Sequence, residues 1–320
     1  FLDGPRVLAN MALDSWVPHR FSQLSDRLVA KNGVFLMGLA ALAALLYTRG
    51  DITMLVVMYS INVFITFSLT ELGMARHWIK DRAKEPRWRS QLAIHGTGLV
   101  LCLTILCITL YEKFAEGGWM TSVVTAALIG VCFAIRRHYR LVQAELKKLD
   151  DVLVPLPASG PPPAAPLPKN APTAILTVDR FSGYGLHQVL NVLQLFPGHF
   201  KRFVFVSVAV VDSGSFKGAA EMEALERQTR GELEKYVDWC TQHGIVAEYR
   251  LAVDTEAVKR IAEICAALGK QFPRAMVFSG KLIFREETFT HRLLHSETAT
   301  AIQRRVQDIV PAIVLPVRVS

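Results

Sequence analysis

The chain has 320 residues, room for two domains, and is 51% hydrophobic and 20% charged with a formal charge of +8. Its five cysteines (Cys102, Cys107, Cys132, Cys240, Cys265) are scattered, which sets aside a disulfide-stapled secreted domain and a cysteine-based metal site. The cations cluster beside apolar stretches, so the excess positive charge argues for the anionic face of a membrane and against nucleic acid as partner.

Residues 1–32 read as a cytoplasmic loop with a short helix through Met11 and the break Pro18-His19-Arg20-Phe21. No cleavable signal peptide opens the chain, and Phe1 in place of Met predicts a truncated N-terminus. Four apolar stretches follow within 33–150, at about 33–48, 52–72, 92–111 and 118–135. Each is near the length an α-helix needs to cross a hydrocarbon core of about 30 Å. Lys and Arg sort by side. Arg6, Arg20, Arg27 and Lys31 precede the first stretch, six cations from Arg76 to Arg89 separate the second and third, and Arg136, Arg137, Arg140, Lys147 and Lys148 follow the fourth. The two opposite connections hold Arg49 and Lys113. By the positive-inside rule both ends face the cytosol, predicting a multi-pass protein of the bacterial inner membrane with a cytoplasmic C-terminal domain. The lipid bilayer is thus the first expected partner.

The second stretch carries more polar groups than a lipid-facing helix tolerates. Tyr59, Asn62, Thr66 and Thr70 fall at i, i+3, i+7 and i+11, one helical face. Two readings stand: interhelical hydrogen bonding, or lining of a permeation pathway with Tyr59, Asn62 and Thr66 as candidates. Glu71 is expected at the interface near Arg76, and His95 one turn inside the third span, solvated or coupled to transport. Trp78, Trp88, Tyr111 and Trp119 form an aromatic belt at the span ends.

Residues 151–172 hold eight prolines, an extended tether rather than a fold. From Thr173 strands and helices alternate. Strands are predicted at Thr173–Val178, Phe203–Val211, Ile245–Val253, Ala275–Ser279 and Ala312–Val319, with helices at Gly185–Phe196, Gly218–His243, Thr255–Phe272 and Phe289–Asp308. Strands apolar throughout and separated by helices predict a parallel sheet covered on both faces, a complete α/β domain at 173–320.

Two resemblances attach to these residues. FLDGPRVLANMALDSWVPHRF (Phe1–Phe21), DRLVAKNG (Asp26–Gly33), ELGMARHWIKDR (Glu71–Arg82) and YEKFAEGGWMT (Tyr111–Thr121) resemble, in order, the C-terminal part of permeases of the amino acid–polyamine–organocation (APC) superfamily. The branch includes bacterial potassium importers and amino acid permeases. The resemblance implies a LeuT/APC-type fold, here incomplete. The four spans become helices nine to twelve, and the substrate site lies on broken first and sixth helices upstream of residue 1. Residues 173–320 resemble a universal-stress-protein-like, flavodoxin-like domain. That resemblance implies nucleotide-binding candidates at Asp179, Ser279, Gly280, Lys281, His295 and Ser296. Small residues there would let backbone N–H groups approach phosphate. Ile283 and His295 stand where the nucleotide-binding pattern has Gly, so pairing into a homodimer without a ligand is the default expectation. Resemblance to the potassium importers adds cyclic di-AMP as a candidate ligand.

The leading function is therefore the C-terminal half of an ion-coupled secondary transporter taking up an amino acid or potassium, with a cytosolic regulatory and dimerisation domain. The rival is a membrane-anchored sensor. Without nucleophile–His–carboxylate spacing, metal cluster or P-loop, the chain reads as neither an enzyme nor the holder of a cofactor.

Overall fold

The computed structural model describes residues 3–25, 28–83, 86–151, 167–214, 218–283 and 298–318. Two compact units emerge: Phe35–Ala134, and Phe1–Val34 together with Ile135–Ser320.

The helical unit is drawn from α2 (Lys31–Thr48), α3 (Ile52–Lys80), α4 (Trp88–Glu112) and α5 (Trp119–Asp151). Among the described residues these are four helices long and apolar enough to cross a membrane. Local chemistry sets their ends. Arg49 and Gly50 take positive φ (51° and 78°), the left-handed step that ends α2. Asp51 then caps α3 by accepting from the Thr53 amide at 2.8 Å. Between α4 and α5 the chain makes a π-turn, Phe114–Gly118, with Gly117 at φ 103°. No side chain of α4 is buried within the unit.

The helices outrun the apolar stretches that announced them. α3 continues through Arg76, His77 and Lys80, and α5 to Asp151. Hydropathy marks only the part suited to lipid. Beyond it α5 becomes amphipathic, burying Tyr139, Val142 and Leu149 and pairing Glu145 with Lys148 at 2.7 Å.

In the other unit, β1 (Thr173–Thr177), β2 (Arg202–Val210), β3 (Val246–Asp254), β4 (Ala275–Ile283) and β5 (Ala312–Arg318) form one all-parallel sheet in the order β3-β2-β1-β4-β5. The connecting helices are α6 (Gly183–Leu195), α7 (Ala219–Gln242), α8 (Ala257–Gln271) and α9 (Thr298–Val306). α6 and α7 cover one face, over a core with Phe203, Phe205, Leu233 and Tyr236. α8 and α9 cover the other, over Ile175, Val204, Cys265 and Ile302. The fold is a doubly wound α/β sheet whose order reverses between β1 and β4. β4 runs four residues past the predicted Ser279, because Gly280–Ile283 find partners on β5 from Leu315 to Arg318.

Residues 3–25 belong to this unit. α1 (Asp3–Leu13) leads to a turn in which His19 packs on Tyr139 (4.4 Å between ring centroids) and Arg136 lies 3.9 Å over Trp16. Gln23 then bridges Asp212, and Ser213 N–H donates to Ser22 O at 3.1 Å.

Candidate functional site

In an open parallel sheet a crevice forms at the carboxyl ends of the strands where the order reverses. Here it opens between β1 and β4. β1 stops at Thr177 opposite Ser279, and the chain turns through Asp179–Phe181 into α6. Several bonds pin this turn. Ser182 caps α6 by accepting from Gly185 N–H at 3.3 Å, and Glu232 accepts from Phe181 N–H at 3.0 Å. The Tyr236 hydroxyl donates to Arg180 O at 2.9 Å. Tyr236 reaches that carbonyl because position 185 is glycine; a Cβ there would collide with its hydroxyl. Burial pushes the Tyr236 phenol up, so it stays a donor.

The crevice holds a cavity of about 360 Å³. Thr177 and Ser279 meet across its floor at 2.9 Å, and Ser207 donates to Asp179 O at 3.3 Å. Gln188 reaches into it from α6, only 1% exposed. Its Oε1 has no hydrogen-bond partner among the described residues. An unpaired buried acceptor costs about 1–3 kcal/mol, a cost worth bearing where a ligand supplies the donor. Gly280 makes room for this arrangement, since a Cβ would sit 2.5 Å from Tyr184 Oη and 2.6 Å from Gln188 Cδ. Burial raises the Tyr184 phenol as well. A second pocket of about 300 Å³ shares Asp179, Tyr184 and Gln188 and adds Arg180.

Of the residues proposed from sequence, Asp179 and Gly280 line the cavity, and buried Ser279 braces it through Thr177. Lys281 is exposed on β4 and is not a lining residue. His295 and Ser296 lie outside the described residues. Gln188 was not among the residues proposed from sequence, although a glutamine amid Leu186, Val189 and Val192 on the buried face of α6 was a signal there. Cys240 and Cys265 are buried, with thiols pushed up to about 12, which makes them inert packing groups.

In the helical unit the polar row bonds largely within α3. Thr66 donates to Asn62 O at 2.8 Å and Thr70 to Thr66 O at 2.9 Å, while Asn62 Nδ2 donates to Met58 O at 3.0 Å. Asn62 Oδ1 accepts from Thr125 Oγ1 at 2.9 Å, a bond between α3 and α5. Tyr59 is exposed beside them. Glu71 and His95, read separately from sequence, form a pair. Glu71 Oε2 lies 2.7 Å from His95 Nδ1, joining α3 to α4. Gly98 leaves the space, since a Cβ there would stand 3.2 Å from the Glu71 carboxyl carbon. Among the described residues no cluster of His, Cys, Asp and Glu has metal-holding geometry.

No protein-family model matches the chain. Over 146 residues it is 30% identical to the potassium transporter KimA of Bacillus subtilis (strain 168). This is a membrane protein similar in part to a potassium transporter. The match covers 46% of the chain and 24% of the relative, so the chain spans about a quarter of the length of that curated protein. A crystal structure of a universal stress protein family member from Burkholderia pseudomallei aligns with 48% of the chain and 100% of its own length, at 18% identity and a TM-score of 0.33.

Proposed function

We propose that the chain is the C-terminal part of an APC-type secondary transporter that imports potassium, with a cytosolic domain that regulates it. The observation that carries this reading is the 30% identity to a potassium transporter, in a chain with four membrane-length helices. Amino acid uptake, open on sequence grounds, recedes behind it. The basic flanks of the spans support cytosolic placement of both chain ends and of the α/β domain. Coupling to an ion gradient fits the secondary-transporter class.

The regulatory reading rests on the cavity at the sheet's switch point. Among the described residues, its one carboxylate, its hydroxyls and a Gln188 acceptor without a partner suit a nucleoside-containing ligand. Cyclic di-AMP is the candidate inherited from the sequence resemblance, and a homodimer through the same domain is the proposed assembly.

The test is uptake of labelled rubidium, a potassium surrogate, by potassium-uptake-deficient bacteria expressing the protein. Saturable uptake with rescued growth at low potassium is expected. Absence of both, with the protein found in the membrane fraction, overturns the potassium assignment, and an amino acid panel then decides the solute.

A further inference from the structure

The crevice cavity shares a wall with a second, larger opening. Val210, Ala257 and Thr298 border both the cavity and a cleft of about 450 Å³. Each lies within the size range of small-ligand sites, about 300–1,000 Å³. Their charges differ sharply. The charged side chain among the described residues lining the cavity is Asp179. The cleft gathers Lys31, Lys259 and Arg305 against one carboxylate, Glu256. These cations come from α2, α8 and α9, so only the fold assembles them. Among the described residues none of the three is in an ion pair. α8 also opens on the cleft at Ala257 and Val258, and Glu256 at its N-cap makes no side-chain capping bond. The leading N–H groups and positive dipole end of a 15-residue helix therefore add to the cations.

We propose that this cleft is a phosphoryl-binding subsite, and that cavity and cleft together hold one ligand. Its uncharged ring system fills the cavity and donates a hydrogen bond to Gln188 Oε1. Its phosphate crosses the shared wall to Lys31, Lys259 and Arg305. The cavity half rests on the nucleoside reading proposed above; the cleft half stands on its own charges. The arrangement differs from the one implied by resemblance, whose candidates are Ser279-Gly280-Lys281 with His295 and Ser296, the last two outside the described residues. After Ser279 the strand continues to Ile283, and Lys281 is exposed and not among the residues lining the cavity. Phosphate in the cleft would also tie the Gln23–Ser25 stretch and the first turn of α2 to the start of α8. Ligand binding would thereby fasten the segment that leads into the first apolar helix.

Isothermal titration of the purified full chain in lipid nanodiscs tests this with adenosine, ATP, inorganic tripolyphosphate and phosphatidylglycerol vesicles as probes. ATP is expected to bind at least about 10-fold more tightly than adenosine, because charge-assisted bonds add to the neutral contacts. Lys259→Glu and Arg305→Glu, both at exposed positions, should remove that advantage and leave adenosine binding unchanged. Gln188→Leu should weaken adenosine and ATP alike. Equal affinities for adenosine and ATP, or indifference of ATP to both charge reversals, overturns the phosphoryl subsite while leaving the nucleoside cavity standing. Tripolyphosphate binding that Lys259→Glu abolishes, with no adenosine binding, keeps the cleft and overturns the shared ligand. Capture of anionic vesicles alone, lost in Lys259→Glu, assigns the cleft to a lipid headgroup and overturns the proposal. So does the failure of every probe to bind.

Discussion

β2 and α4 are made of similar residues and dispose of them in opposite ways. The strand, RFVFVSVAV, buries eight of its nine positions; Phe203 and Phe205 are fully enclosed. The helix core, LVLCLTILC, buries none, and Val100 and Leu101 stand 64% and 58% exposed. Hydroxyls follow the same division. Thr97 and Thr104 return to their own helix, donating to Ala93 O and Val100 O at 2.8 Å each. Ser207 and Ser279 instead join neighbouring strands and loops. A parallel strand is apolar because protein covers both its faces, and a spanning helix because lipid and neighbouring helices cover it. In lipid a hydroxyl has no water to fall back on, so the nearest carbonyl one turn away takes it. Apolarity states that water is excluded; the partner that excludes it is set by the architecture.

Mutations can break this contrast. The largest effect is expected at Phe205, stacked on Tyr236 at 4.8 Å between ring centroids. Phe205→Ala should destabilise the α/β unit by about 3–5 kcal/mol, measured by urea denaturation, while Leu101→Ala in α4 should leave that transition in place. Next is Leu101→Arg, which puts a charge near the middle of α4. Membrane insertion should become less favourable by about 2.5–3.5 kcal/mol, read by glycosylation mapping of integrated and translocated forms. Unchanged integration would mean that α4 does not face lipid.

A smaller effect probes one of the side-chain bonds that join helices, where the helical unit departs from self-contained polar groups. A double-mutant cycle with Glu71→Gln and His95→Gln, using helix dissociation in bilayers, should give a coupling of about 0.6–1.7 kcal/mol. Additive single effects would show two independent groups. The smallest effect concerns pH. Burial, opposed in part by a hydrogen bond with the Ala12 backbone, holds the His19 imidazole below its ordinary value of 6.5. The unfolded chain thus binds a proton at a pH where the folded chain does not, and stability rises with pH across that window. The contact of His19 with Tyr139 is at full strength above about pH 6.5 and weakens as pH falls through the lowered folded value. Fluorescence of Trp16, in a variant with the other tryptophans replaced, should shift on acidification, and His19→Phe should abolish the shift.

Much of this architecture is legible in the chain because its signals are local. The apolar runs announced all four long helices, and the alternation of continuous apolar strands with amphipathic helices announced the parallel sheet. Element ends were less legible. α5 outlasts its apolar run by four turns because helical backbone continues after hydropathy stops. β4 outlasts its predicted end because a partner strand extends it. At the candidate site, Asp179 and Gly280, which line the cavity, were named from the resemblance. Gln188 was marked in the sequence only as a polar residue amid Leu186, Val189 and Val192, and it gains meaning once Tyr184, Gly280 and the strand ends surround it.

The sequence by itself determined that there would be spans and a doubly covered sheet, because helical length, strand period and charge sorting act over a few residues at a time. Only the tertiary structure decided that Glu71 meets His95, that the Gln188 oxygen finds no donor among the described residues, and that Lys31, Lys259 and Arg305 share one cleft. Those pairings join residues from 24 to more than 200 positions apart. Their energies depend on distances that no local pattern encodes, and packing of the helices and winding of the sheet supply them.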